Sequence, residues 1–420
     1  MQAARLFLIS AALMISSLIA QDFSQWRGEK RDGHFPEKKL LKEWPEGGLQ
    51  KLWSVENLGM GYSSATVVGD MVYTTGKKES MEVLTAMDMA GKILWELPYG
   101  KAAANNGFPA ARTTPTYDGG RLYLISGNGE VVCVDPARQK VLWTVDAFTR
   151  FNGQKGTWET AETPLVIDNK VIYTPAGDQT TVVALDKNSG ETVWTSPTLN
   201  DVSAYVSPIL VRYAGKDMIV TVTARYLLAV NAADGKLLWK FDYAAQEGLN
   251  GPADASQINC NSPVYHDGRI FVTSGYDHTG LQVKLHEDGM GVDLAWSAPV
   301  LDTHIGGVVL VDGYLYGSNW INNRKGNWVC LDWETGALQY EEPWHNKGSI
   351  VAADGMIYCY EEKRGNLALV RPNPEKFEVV SSMQIEQGEG PHWAHPVIKN
   401  GVLYIRHGEV LMAFKVKAAS

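Results

Sequence analysis

The stretch Ala184-Leu185-Asp186-Lys187-Asn188-Ser189-Gly190-Glu191-Thr192-Val193-Trp194 returns as Ala229-Val230-Asn231-Ala232-Ala233-Asp234-Gly235-Lys236-Leu237-Leu238-Trp239. Both read small residue, turn-forming Asp or Asn, Gly four places on, and Trp four places after that. Weaker copies end at Trp95, Trp143, Trp296 and Tyr340, at a spacing of about 40 to 57 residues. A repeat of this length built from short strands means a closed circular or solenoidal array.

Outward from the motif, each repeat begins with a small residue, often before Pro, and an apolar strand. A tight turn and a second strand ending in an aromatic follow. Asp267-Gly268, Asp312-Gly313, Asp354-Gly355 and Asn400-Gly401 supply the positive φ of two-residue hairpins. Tyr73, Tyr123, Tyr173, Phe271, Tyr316, Tyr358 and Tyr404 mark second strands, with Val220 at the degenerate eighth. A third strand runs into the Asp-x-x-x-Gly turn, where the carboxylate can accept backbone N–H groups. The fourth carries the Trp, a flat body suited to the wedge between sheets. The fold class is therefore all-β: an eight-bladed propeller with four-stranded antiparallel blades over residues 49–420. The last repeat shows three strands only. Leu49-Gln50-Lys51-Leu52-Trp53 is expected to supply the fourth and close the ring. Residues 21–48 are expected to form an extended segment over the propeller, with Trp26 exposed.

Residues 1–20 read as an export signal: Arg5 precedes an apolar run at 6–20 that is short for a bilayer span. The location expected is periplasmic or secreted. No Cys follows the run to carry a lipid. Past residue 20 the chain has 37 basic against 47 acidic side chains and no basic block, which argues against nucleic acid and anionic membranes as partners. Cys133, Cys260, Cys330 and Cys359 form no CxxC pair. Cys133 and Cys330 stand near equivalent repeat positions and read as small buried hydrophobes; Cys330 with Cys359 is a weak disulfide candidate.

The turn-plus-Trp motif resembles the tryptophan-docking repeat of the PQQ-like propeller superfamily, over residues 49–416. Trp26-Arg27-Gly28, Arg31-Asp32-Gly33 and the stretch His304-Ile305-Gly306-Gly307-Val308-Val309-Leu310-Val311-Asp312-Gly313 look like a group of exported bacterial PQQ-like repeat proteins. The superfamily includes quinone-dependent dehydrogenases and the non-enzymatic assembly lipoprotein BamB. The resemblance implies a ligand at the channel mouth, and for the dehydrogenases PQQ with Ca²⁺. The chain departs from those enzymes in lacking their adjacent-cysteine pair and any haem motif.

Eight copies in one chain allow an internal comparison. One position is nearly always small: Ser64, Thr114, Thr163, Ser207, Ser262, Gly306, Ser349, then His395. Two residues earlier the series diverges into Tyr62, Arg112, Ala161, Tyr205, Cys260, His304, Lys347 and Trp393. Glu159, Glu162, Gln257, Asn259, Asn261, Asp302, His392 and His395 flank it. The candidate ligand-binding residues are Arg112, Glu159, Glu162, Asn259, Asn261, His304, Trp393 and His395. Arg112 heads them, because a guanidinium grips carboxylates bidentately. Glu159 and Glu162 with Asn259 or Asn261 offer oxygen ligands to Ca²⁺, or are merely solvated. Trp393 stacks on a ligand or plugs the mouth. No catalytic triad, phosphate loop or His-x-x-x-His pair occurs. The functions open at this point are a scaffold for a small-molecule or protein ligand, a PQQ/Ca²⁺-dependent oxidoreductase, and a carbohydrate-active, lyase-like propeller.

Overall fold

The computed structural model describes residues 23–104, 107–247 and 258–419; the proposed export signal lies outside them. It is an eight-bladed propeller of four-stranded antiparallel sheets, two of which carry a short fifth strand. Along the chain, the inner strands of blades 1 to 8 are Thr66–Val68, Thr116–Asp118, Leu165–Ile167, Ile209–Tyr213, Val264–His266, Val308–Val311, Gly348–Ala353 and Val397–Lys399. The outer strand of blade 8 is Lys51–Val55, paired antiparallel with Val410–Lys415. The first strand of the ring thus completes the last blade, and no third strand is left with a bare edge. Among the described residues the single helix is Ala147–Phe151.

The register explains the motif. In blades 2, 3 and 4 the Trp of the outer strand stands directly opposite the small residue: Cys133 faces Trp143, Ala184 faces Trp194, and Ala229 faces Trp239. A register shift follows at once in each pair, a bulge that adds twist. A bulky side chain opposite an indole would leave it no room against the next sheet. Four outer-strand indoles, Trp239 not among them, also lie on a glycine of the following blade. Carbons of Trp53, Trp143, Trp194 and Trp296 would sit within 3 Å of a Cβ on Gly91, Gly190, Gly235 and Gly336, so only glycine fits under the ring. Their Nε1 groups donate to Met89, Lys187, Ala232 and Trp333 carbonyls at 2.9–3.3 Å. Trp53 does this between blades 8 and 1, so ring closure uses the same contact.

Nearer the axis, the small residues join neighbouring blades. The Ser64 N–H donates to Thr114 Oγ1 at 2.9 Å, Thr114 N–H to Thr163 Oγ1 at 3.2 Å, and Thr163 N–H to Ser207 Oγ at 2.9 Å. Ser262 Oγ donates to Ser207 O, and Ser64 Oγ to His395 O. Short hydroxyl side chains are selected here because inner-strand ends lie too close for larger ones and leave N–H groups that need acceptors. The second-strand aromatics from Tyr73 to Tyr404 are all buried. All four cysteines are free, and Cys133, Cys330 and Cys359 are buried, so the Cys330–Cys359 bridge does not form.

Candidate functional site

Inner strands converge on the axis, so the connections from each outer strand to the next inner strand gather at one mouth. All eight members of the divergent series, one per blade, line a single cavity there of about 450 Å³. That volume lies in the range of small-molecule sites. Tyr62, Phe108, Trp158, Tyr205, Tyr276 and Trp393 make its walls aromatic. Trp393 is wedged between Tyr62 and Phe108, with ring centroids 4.9 and 4.7 Å away.

The charged groups are held firmly. Arg112 donates from Nη1 to Trp158 O at 2.6 Å and from Nη2 to Phe108 O at 2.8 Å. Burial lowers its pKa, opposed by Tyr62 and Glu82 among others. Two of five guanidinium N–H groups are thereby used, which leaves others for a ligand. Lys347 Nζ and Glu362 Oε1 form a buried ion pair at 2.8 Å. Trp393 Nε1 donates to the other oxygen of Glu362 at 3.2 Å. The lining holds three cations, Arg112, Lys347 and Lys363, against one carboxylate, Glu362. In a hollow walled by aromatic side chains that excess favours an anion.

Two histidines reach the cavity in different states of use. His395 accepts at Nδ1 from Arg27 at 2.8 Å, so its Nε2–H donates to Ile305 O at 2.9 Å. Burial, then the adjacent guanidinium, pushes its pKa down to about 3. The His304 ring packs edge-on against Tyr276 at 4.6 Å and makes no hydrogen bond to a described residue. Burial, then Lys347, lowers its pKa to about 3. At neutral pH it is an uncharged imidazole able to donate or accept.

The remaining candidates do not join them. Glu159 accepts the Ala104 N–H with both oxygens, at 3.1 and 3.2 Å. Glu162 is buried within its blade and accepts from Thr174 N and Oγ1. Burial drives its pKa well up, against the opposing pull of Arg31. Asn259 spends its amide on Thr223 and Ala224 carbonyls. Asn261 ties blade 5 to blade 6 through Thr303 O, His304 O and Gly307 N. Asp302, raised to about 7 by burial, accepts from the Trp320 and Asp277 N–H groups. His392 is bonded to Tyr360 and stacked on His407, and Gln257 lies outside the described residues. Of the oxygen donors considered for Ca²⁺, those of Glu159, Glu162 and Asn261 accept from local N–H or hydroxyl groups, Asn259 Oδ1 is buried without a partner among the described residues, and none of the four residues lines the cavity. Among the described residues no group of three His, Cys, Asp or Glu side chains could hold a metal. The residues present do not fit a bound Ca²⁺.

Reading the repeats missed Trp26, Phe108, Trp158, Tyr276 and Glu362. Tyr276 and Glu362 come from connections between second and third strands, which vary in length and do not align. Phe108 and Trp158 lie only a few residues before Arg112 and Ala161, and their aromatic character was the available signal.

A family model described as Outer membrane protein assembly factor BamB matches residues 80–339. The chain belongs to this family of PQQ-like repeat proteins. An uncharacterised protein of Rickettsia conorii is 24% identical over 230 residues, 52% of this chain and 49% of that protein. The chain thus spans about half the length of that curated relative. BamB from Moraxella catarrhalis shares the fold with a TM-score of 0.63 at 15% identity, over 87% of this chain and 99% of that one. A europium-containing methanol dehydrogenase gives 0.65 at 13% identity, over 92% and 90%. A quinohemoprotein alcohol dehydrogenase from Comamonas testosteroni gives 0.62 at 12%, over 93% and 79%. At such identities the likeness establishes the fold alone. Among the described residues no helix is long and apolar enough to cross a membrane.

Proposed function

We propose that this chain is an exported binding protein whose mouth cavity takes a small, flat, anionic molecule. The observation that carries this reading is the convergence of eight side chains of seven types, one per blade, on one aromatic cavity with excess cationic charge. Positions that serve the blade repeat; these do not. Aromatic walls suit a planar body, Arg112 suits carboxylate or sulfonate groups, and His304 supplies a neutral hydrogen-bonding edge. Pyrroloquinoline quinone, flat and carboxylated, belongs to this ligand class. The dehydrogenase reading needs Ca²⁺ beside it, and the Glu and Asn side chains that would supply oxygens do not line the cavity.

The test is fluorescence titration with two probes that share one apolar body: anilinonaphthalene sulfonate and neutral N-phenylnaphthylamine. The sulfonate should bind at least about tenfold tighter, the worth of one charge-assisted hydrogen bond. Arg112→Gln should abolish most of that preference, and Arg112→Lys should keep part of it. Equal affinity for the two probes, or a preference untouched by Arg112→Gln, refutes an anion site. Parallel absorbance titrations with pyrroloquinoline quinone, with and without Ca²⁺, test that member of the class.

A further inference from the structure

We infer that residues 25–33 are a built-in plug that turns the propeller's axial channel into a one-ended cavity, with Trp26 and Arg27 as specificity-determining residues of its floor. This deepens the reading of the cavity as a ligand site and rests on it.

The segment is anchored at both ends. Phe23–Ser24 pairs with the inner strand of blade 2, and His34–Phe35 runs parallel to the inner strand of blade 7. Between them the chain lies on the axis. Arg27 fans toward one side of the ring, donating to Val308 O at 2.7 Å, Ile350 O at 3.0 Å and His395 Nδ1. Arg31 fans toward the other, donating to Pro164 O at 2.6 Å, Thr163 O at 2.9 Å and Pro208 O at 3.1 Å. Two planar forks thus satisfy inner-strand carbonyls that would otherwise face an empty axis. The intervening glycines are steric requirements. A Cβ on Gly28 would meet His34 O at 2.3 Å, and one on Gly33 would meet Arg27 Nη2 at 2.4 Å. Opposite, a Cβ on Gly307 would strike Arg27 Nη1 at 2.4 Å. This accounts for the pattern Trp-Arg-Gly followed by Arg-Asp-Gly, which the blades themselves do not use.

The cavity reads the plug through two residues. Trp26 lines it from below and packs edge-on against His395, with centroids 5.1 Å apart. Arg27 is buried behind His395 and bonded to neutral groups, Asp32 being the acid that acts on it. Its charge therefore lies under the floor and adds to that of Arg112 at the wall, Lys347 being paired with Glu362. A buried charge is poorly screened, so it acts across the floor on an anion above.

The experiment uses the same two probes on the full chain. Trp26→Ala should weaken both about tenfold, the scale of one aromatic stacking partner, and Trp26→Phe should recover most of the loss. Arg27→Gln should weaken the sulfonate about tenfold, the scale of a partly screened charge across the floor, with the neutral probe changed less than about twofold. Arg27→Lys retains the charge and should retain the preference, even if Arg27→Gln does not fold. Hydrogen exchange gives a readout independent of binding: the amides of Gly28, Arg31 and Gly33, which donate to Gln25, Gly28 and Arg27 carbonyls, should exchange as slowly as inner-strand amides. If folded Trp26→Ala binds both probes like the parent while Arg112→Gln still loses the sulfonate, the floor assignment falls and the cavity reading stands. If the parent binds neither probe, both fall. Rapid exchange at Gly28, Arg31 and Gly33 overturns the plug itself.

Discussion

Replacing Trp194 by Ala tests the contact that holds blade to blade. The indole is 8% exposed, faces Ala184 across its own blade and covers Gly235 in the next. Burying a Trp removes about 150–250 Å² from water, worth about 4–6 kcal/mol at 25 cal/mol per Å². Residual burial in the unfolded chain reduces that to about 3–5 kcal/mol, the usual range for Trp→Ala in a core. The hydrogen bond to Ala232 O, 3.3 Å long, adds little because the vacated space admits water to that carbonyl. The assay is urea denaturation of Trp194→Ala, Gly235→Ala and the double variant. Gly235→Ala alone should be costly, since its Cβ would lie 2.4 Å from the ring at a φ of +74°. Without the indole only the backbone cost remains, so the double variant should show a coupling of about 1–3 kcal/mol. A Trp194→Ala loss under about 1 kcal/mol, or additive effects, would refute the indole-on-glycine account.

Deleting residues 21–55 removes Lys51–Val55 and bares the edge of Val410–Lys415; aggregation by light scattering is expected, and a monodisperse, equally stable product contradicts ring closure. Arg112→Ala should cost about 1–3 kcal/mol by thermal denaturation, because both Nη groups brace the loops bearing Phe108 and Trp158; no loss would mean those bonds are incidental. His304, with a folded pKa near 3 against about 6.5 unfolded, contributes stability present above pH 6.5 and lost as pH falls toward 3. Glu82 and Asp302, raised to about 8 and 7, oppose it by favouring the fold as pH falls through that range. The informative quantity is thus the difference between parent and His304→Gln, which should change by about 1.4 kcal/mol per pH unit below 6.5; a constant difference refutes the buried neutral ring. Thiol titration should find four reactive groups in denaturant and almost none in the native protein, where burial raises the Cys260 thiol to about 12; two in denaturant would indicate a disulfide.

The blade was legible in the chain because its requirements are local and recur: a turn at Asp186, a glycine at 190, a small residue at 184 and an indole at 194. The divergent series from Tyr62 to Trp393 was legible for the same reason. A position at one place in every repeat must reach one place in the ring, whatever residue fills it. Ring geometry likewise required a strand from outside the last repeat. What the chain could not disclose is where partners come from across the axis. Arg27 and Arg31 find carbonyls 132 to 323 residues away, and nothing local distinguishes them from surface arginines. Trp26, expected in the open, is a cavity floor for that reason. Glu162, Asn259 and Asn261 have the chemistry of ligands, yet Glu162 and Asn261 accept from Thr174 and Gly307 N–H groups and the Asn259 amide is spent on backbone carbonyls. Residue type and spacing determined the blades and the ring of positions at the mouth. Only the packed structure decided which polar atoms remain free there, because hydrogen bonds to distant backbone are settled by the closing of the ring.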